Sequence, residues 1–466
     1  MGGGGTSRGS GMGGLGERCA GAFTWTGRSP GLRVVMRKPD RRPAGKVQAE
    51  AEPAGTPARK AALKLLDAVL RQGLPLEAAL GAANSLPNPS DRGLARAIAS
   101  EVLRRLPDLD ALIDSATDRV LPDDAKARFA LRIALVQALT LGTPPHAAIA
   151  TALPLVDGGP RRLVHGVFGT LMRGGAALPE PPHLLPEVAE RWTKAWGEAA
   201  VEDARASLSQ RPPLDLTLAD PSKTPEWAET LGATSLMPGH LRLANADVTG
   251  LPGFEEGAWW VQDLSASLPA RLIGRGEGTA LDLCAAPGGK TLQLAAAGWQ
   301  VTAVEMAAKR LGRLSENLAR MNLSADLVEA DVMQWEPQAP ADAVLLDAPC
   351  SATGIFRRHP DVLHRVRPRA IADLAEVQAA MLARAAQWVK PGGVLVYAVC
   401  SLEPQEGEGV ASQFTAPGFA IDPVRPEELP AGLASNDQGF LRIPPGSLAQ
   451  VGGCDGFFIA RWRRDS

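Results

Sequence analysis

The stretch Leu281-Asp282-Leu283-Cys284-Ala285-Ala286-Pro287-Gly288-Gly289-Lys290-Thr291 decides how the second half of this 466-residue chain is read. Ala280–Cys284 is a short apolar run of strand type, and Gly289–Ala297 continues with helical spacing. A strand that passes through glycines into a helix brings backbone N–H groups close to a ligand at the helix start. The ending Gly289-Lys290-Thr291 invites comparison with the phosphate loop Gly-x-x-x-x-Gly-Lys-[Ser/Thr]. That pattern requires glycine at position 284, where this chain has Cys284, so a nucleoside triphosphatase is disfavoured.

Working outward, strands and helices alternate. The patterns predict strands at Gln300–Glu305, Asp326–Ala330, Ala343–Leu346 and Val394–Val399, with helices at Ala308–Arg320 and about Arg369–Val389 between them. Pro391-Gly392-Gly393 reads as a turn, and the last strands are expected at Phe440–Ile443 and Gly456–Arg463. This alternation predicts an α/β, Rossmann-like, doubly wound parallel sheet over residues 276–466. Acids stand at the ends of successive strands: Glu305, Asp331 and Asp347. In such sheets ligands bind at the carboxyl ends of the strands, and an acid after the second strand commonly holds ribose hydroxyls. The ligand so described is a nucleoside with a tail other than phosphate, and S-adenosyl-L-methionine fits it.

Toward the N-terminus the texture differs. Residues 1–57 are rich in Gly, Pro and Arg without apolar periodicity and read as a disordered tail, with Met36 a candidate start. Through Lys60 this tail has eleven Lys and Arg against four Asp and Glu, a local charge of +7, which fits either a solvated tail or a weak RNA-contacting arm. Residues 58–175 are helical throughout, with Pro87, Pro107, Pro122 and Pro144-Pro145 ending segments and exposed-looking pairs at Arg104-Arg105 and Arg161-Arg162. Residues 179–275 read as a small α+β connector: a helix over Glu187–Ser209, then short strands at Leu214–Leu218 and Ala258–Val261.

Composition sets limits. A net charge of −2 argues against a uniformly basic nucleic-acid coat, and five cysteines in 466 residues exclude a disulfide scaffold. No run of 18 apolar residues appears, so no membrane span is expected. A cytoplasmic protein, monomeric by default, is the expectation. Cys19 and Cys454 lie in tail and loop. Cys284, Cys350 and Cys400 each close a predicted strand, without the nearby partners a metal site needs, so no metal is expected. Cys350, in Asp347-Ala348-Pro349-Cys350-Ser351-Ala352-Thr353-Gly354, and Cys400, in Val399-Cys400-Ser401, place two thiols on the ligand edge. A thiolate is a competent nucleophile at neutral pH.

These segments resemble the RNA cytosine-5 methyltransferase family, most closely its bacterial Sun/RsmB-type branch acting on 16S rRNA. Asp282–Thr291 is similar to the family's S-adenosylmethionine turn, Asp347–Gly354 to its Asp-Ala-Pro-Cys motif, and Val399-Cys400-Ser401 to its Thr-Cys-Ser motif, from which Val399 departs. Asp455-Gly456-Phe457-Phe458-Ile459-Ala460 is similar to its closing strand. The helical region resembles NusB in Leu131–Leu141, Pro144–Ala148 and Arg161–Leu171. The resemblance implies Cys400 as nucleophile on cytosine C6, Cys350 as the residue assisting product release, Asp347 as a base contact and Lys290 as a second group placing the base. It implies S-adenosyl-L-methionine held by Cys284, Ala285, Ala286, Pro287, Gly288, Gly289, Lys290, Glu305, Asp331 and Asp347. The 16S rRNA or an assembling small subunit would be the partner, with neither DNA nor membrane. DNA cytosine-5 enzymes use the Pro-Cys cysteine instead, so the sequence by itself permits a swapped assignment. A tRNA or 23S rRNA substrate, or a non-catalytic RNA-binding assembly factor, are the other readings. The run from Arg357 to Arg369 has five arginines, two histidines and one acid, and Arg357 and Arg358 are expected to contact RNA phosphates.

Overall fold

The computed structural model describes residues 53–466 apart from residue 245. Most of the tail, with Met36 and Cys19, lies outside the described residues.

The N-terminal part is a helical domain. Its helices are Thr56–Leu70, Pro89–Arg104, Leu106–Ser115, Lys126–Leu139, Pro145–Ala152 and Gly159–Arg173. Pro89, Pro107 and Pro145 stand in the first turns, where a missing N–H costs nothing, so these prolines start helices as well as separate them. Lys126–Leu139 is the central helix. Ala130, Leu131, Ile133, Ala134, Leu135 and Val136 are all fully buried, with Leu65, Leu66, Ile98, Val102 and Val164 packed around them. A helix apolar on every side belongs inside a core. Its two arginines are also buried and are compensated by two acids: Arg132 makes a two-pronged contact with Asp110 at 2.8 Å on each arm, and Arg128 reaches Asp110 at 3.0 Å and Asp114 at 2.6 Å.

Residues 186–209 form two helices, Pro186–Trp196 and Glu198–Ser209, rather than the single helix read from the sequence. The break is Gly197, whose φ of 84° lies in the left-handed region. A small antiparallel sheet follows, from β1 (Leu214–Leu218), β2 (His240–Leu243) and β3 (Trp259–Val261), in the order β2-β1-β3. The next helix, Leu264–Ile273, turns Leu264, Leu268 and Leu272 into the core of the large sheet, alongside Leu345, Val396 and Ile459.

The large sheet contains β4 (Thr279–Leu283), β5 (Gln300–Glu305), β6 (Asp326–Glu329), β7 (Ala341–Asp347), β8 (Val389–Val399), β9 (Phe419–Ile421), β10 (Leu441–Ile443) and β11 (Phe457–Arg464). The order is β10-β11-β8-β7-β4-β5-β6, with β9 also paired to β11. Strands β4 to β8 are parallel, as expected from their alternation with helices. The other edge is not: β11 runs antiparallel to β8, and β9 and β10 antiparallel to β11. The expected all-parallel sheet is thus a mixed one; β10 and β11, consecutive and with no crossover helix between them, pair in the antiparallel sense, as such neighbours must. Pro391-Gly392-Gly393 lies inside β8, not in a turn before it. Among the described residues no helix is long and apolar enough to cross a membrane.

Candidate active site

The turn after β4 and the carboxyl end of β7 line one cavity of about 560 Å³, within the usual size of a small-molecule site; Glu305, Cys350 and Cys400 are not part of its wall. Its walls include Ala285, Ala286, Pro287, Gly289, Lys290, Asp347, Arg358 and Asp455. A larger cavity of about 790 Å³ lies elsewhere, among Phe414, Phe419, Phe440 and Trp462, and contains none of the expected site residues.

The turn after β4 is tightly specified. Cys284 has a φ of 62° and Gly288 one of 109°. A Cβ on Gly288 would also come within 2.9 Å of the Leu314 side chain, so this position requires glycine twice over. Ala285 and Ala286 are buried and Pro287 is exposed. Burial, with Asp347 and Glu305 nearby, pushes the Cys284 thiol up to about 12, so it packs and does not react. Behind the turn, Asp282 is fully buried, accepts a 2.6 Å bond from Thr291 Oγ1 and has no partner for Oδ1. Burial lifts it to about 7.

Glu305 ends β5 with its carboxylate turned back to the chain. It accepts from Ala307 N at 3.0 Å and Ala286 N at 3.4 Å and pairs with Arg310 at 3.2 Å. Glu305 therefore braces the turn that a nucleoside would lie against. Asp331 sits beyond β6, where it accepts from Met333 N at 2.9 Å in its own loop. The residues present fit S-adenosyl-L-methionine: a glycine turn at a helix start that lines the cavity, and an acid at the end of the second parallel strand that hydrogen-bonds that turn.

At the end of β7, Asp347 Oδ2 lies 2.6 Å from Lys290 Nζ. Burial by itself would lower the Lys290 pKa, but the adjacent Asp347 carboxylate outweighs it and raises the value, so the lysine stays charged. The ammonium also stands 5.5 Å from the centre of the Phe457 ring.

Cys350 and Cys400 come together with their sulfurs 3.5 Å apart. The register explains this: β7 and β8 are parallel neighbours with Asp347 opposite Ala398, so the residues just beyond each strand meet. The Cys350 thiol is raised well above its ordinary value, first by its hydrogen bond with Cys400 and then by burial. The loop after β7 runs close under the loop after β8: Gly354 N donates to Cys400 O at 3.0 Å, and a Cβ on Gly354 would collide with the Gly456 carbonyl.

The arginine run departs from expectation. Arg357 is buried and donates to Gly452 O at 2.8 Å. Arg358 pairs with Asp263 and, at 3.6 Å, with Asp455. Asp361 accepts from Leu76 N at 3.2 Å, and His364 Nε2 lies 2.7 Å from Leu103 O. Arg104, read as exposed, donates to Leu208 O at 2.8 Å and to Arg357 O at 3.0 Å; Arg105 is buried too. The first part of the run, from Arg357 to Arg365, is a strut between the helical domain and the cavity wall whose charges are used internally, while Arg367 and Arg369 are exposed. Arg161 and Arg162 are exposed.

Sequence reasoning missed the buried acids that hold the site. Glu403 and Glu406, both fully buried, follow Cys400 in Leu402-Glu403-Pro404-Gln405-Glu406. Glu403 takes Arg191 Nε at 2.7 Å and Trp192 Nε1 at 3.1 Å from the helix Pro186–Trp196. Acids spaced three apart in a loop offered a signal, but one indistinguishable from a solvated loop without the partners.

Comparison with known proteins agrees with this geometry. Residues 271–463 match the family described as 16S rRNA methyltransferase RsmB/F, and residues 56–164 match the NusB family. Ribosomal RNA small subunit methyltransferase B of Klebsiella pneumoniae (strain 342) is 35% identical over 393 residues, covering 77% of this chain and 89% of that protein. The protein of the same name from Xylella fastidiosa (strain Temecula1) is 35% identical over 435 residues, covering 88% of this chain and 99% of its own. Among solved structures, the crystal structure of PH0851 shares the fold with a TM-score of 0.67 at 23% identity, covering 88% of this chain and 99% of that one. NSun6 from Pyrococcus horikoshii with SFG does so with a TM-score of 0.53 at 18% identity, covering 61% of this chain and 99% of that one. The chain belongs to the RsmB/F family of S-adenosyl-L-methionine-dependent rRNA methyltransferases and carries a NusB-family helical domain ahead of its catalytic sheet.

Proposed function

We propose that this protein methylates C5 of a cytosine in 16S rRNA, with Cys400 as the covalent nucleophile. The observation that carries the reading is the pair of thiols 3.5 Å apart at the ends of β7 and β8, beside the ion pair of Asp347 and Lys290. Cytosine C5 is too weakly nucleophilic to take a methyl group unaided. Addition of the Cys400 thiolate to C6 forms a carbon–sulfur bond and shifts the ring electrons toward C5. Bound S-adenosyl-L-methionine supplies an activated methyl group to that carbon. Asp347 accepts a hydrogen bond from the cytosine edge and favours its protonated, electrophilic form, while Lys290 holds Asp347 in place. The C5 proton then leaves to a base, the carbon–sulfur bond breaks, and Cys400 departs as thiolate. Cys350 assists this release.

Ala285 to Lys290 would line the cofactor, with Glu305 toward its ribose and Asp331 toward the adenine. The target base must leave its stack to be attacked on C6, so a loop or an opened helix is the expected substrate, as naked rRNA or within an assembling subunit. The NusB-family domain would grip RNA beside it. A monomer working in the cytoplasm completes the proposal. The test is to map 5-methylcytosine in ribosomal and transfer RNA with and without the gene. Loss at a single 16S cytosine is expected. Loss confined to tRNA or 23S rRNA redirects the substrate, and no change at any cytosine defeats the reading.

A further inference from the structure

We propose that Glu406 is the positioning residue of the cysteine pair, holding the two cysteine loops together through the serine that follows each thiol. This rests on the proposed roles of Cys400 and Cys350.

The carboxylate of Glu406 is fully buried and receives four donors. Oε1 accepts from Ser351 N at 2.8 Å and Gln378 Nε2 at 3.0 Å. Oε2 accepts from Ser401 Oγ at 2.5 Å and from Ser351 Oγ. Ser351 adjoins Cys350 and Ser401 adjoins Cys400, so one side chain ties both loops. The hydroxyls of Ser351 and Ser401 also lie 3.0 Å apart, and Thr353 Oγ1 accepts from Leu402 N at 3.0 Å. The brace is itself braced. Tyr397 Oη, from the strand that delivers Cys400, donates to Glu406 O at 2.5 Å, and Glu406 N donates to Glu403 O at 3.1 Å.

A carboxylate is an expensive way to fill space in a core. Four donors satisfy it geometrically, and what they fix is the approach of two sulfurs on loops that are otherwise joined mainly by backbone bonds. The same charge acts on the thiols. The groups facing Cys350 are Cys400, Glu406 and Tyr397, with Asp347 three residues upstream and Lys290 near Cys400. Cys400 and Glu406 both favour the protonated form of Cys350. When Cys400 is bonded to the base its share of that effect ends, whereas that of Glu406 remains.

The experiment uses the purified full chain. Alkylation of Cys350 and Cys400 by iodoacetamide is followed against pH by peptide mass spectrometry in wild type, Glu406→Gln, Ser351→Ala and Ser401→Ala, alongside steady-state kinetics and melting. Glu406→Gln is expected to lower the pH midpoint of Cys350 alkylation by about one unit, the scale of removing a neighbouring charge. It is also expected to reduce kcat about tenfold or more while KM for RNA stays within about twofold, as for loss of a group that orders the reacting state. An unmoved midpoint with unchanged kcat overturns the proposal. If Glu406→Gln does not fold, the serine variants decide: each should lower kcat several-fold at unchanged melting temperature, and unaltered kcat in both overturns it. Turnover retained by Cys400→Ser would defeat the cysteine roles themselves, and the alkylation shift at Cys350 would still report on Glu406.

Discussion

The loops Asp347–Gly354 and Arg357–Arg365 adjoin in sequence and share a wall of one cavity, yet different forces hold them. In the first, a buried carboxylate and small hydroxyls fix two thiols at 3.5 Å. In the second, a run of cations is absorbed by carbonyls and acids of neighbouring elements, from Gly452 O to Asp263. Charge density in sequence pointed to RNA for the second loop. The structure spends that charge on joining two domains. Whether a basic run meets solvent depends on the acids and carbonyls that reach it from far along the chain.

The comparison breaks most sharply at Cys400. Cys400→Ala should reduce turnover by more than about a thousandfold with melting unchanged, because the first bond of the proposed reaction cannot form. Methyl transfer assays and calorimetry together check this. The second loop should answer in the opposite currency. Arg358→Ala leaves Asp263 and Asp455 confronting each other without their cation, and should cost about 3 kcal/mol of stability in denaturant unfolding. The salt dependence of RNA binding should stay as in wild type; a flattened slope would return the loop to the RNA interface.

Cys350→Ala sharpens the division of labour within the first loop. A covalent protein–RNA adduct should accumulate on denaturing gels, with turnover lower by roughly a hundredfold, the usual worth of a group assisting proton removal. The same adduct in Cys400→Ala would exchange the two roles. The smallest effect on turnover is expected at Asp282→Asn. Burial raises the Asp282 carboxyl from 3.8 to about 7, so the folded state keeps a proton that the unfolded chain has already lost. Stability should therefore fall as pH rises from about 4 to 7, and the asparagine variant should lose that slope in melts taken across the range.

The cofactor turn and both cysteine motifs were legible because their signals are local: glycines at a strand-to-helix turn, and thiols closing strands. The parallel strands β4 to β8 were legible from their alternation with helices. Strand direction at the other edge was not, since a period of two carries no sense of direction. Glu406 was invisible for a different reason. Its partner Ser351 is 55 residues away, and only the register of β7 and β8 brings them together. Arg104 and Arg357 were misread because burial of a cation is decided by which carbonyl it finds, and these two find carbonyls from separate elements.

The antiparallel strand β11 carries one more consequence. It lies directly against β8 and brings Phe457 beneath Lys290, with Asp455 just before it in the cavity wall. A nascent chain that has made β4 to β8 but not residues 457–464 has both cysteines and the cofactor turn, and yet an unpaired sheet edge and a cavity missing one wall. Its own last strand must insert beside a strand completed long before. Such non-local closure is slow relative to local folding. The order of synthesis thus leaves the sheet edge beside the thiols open until β11 is in place.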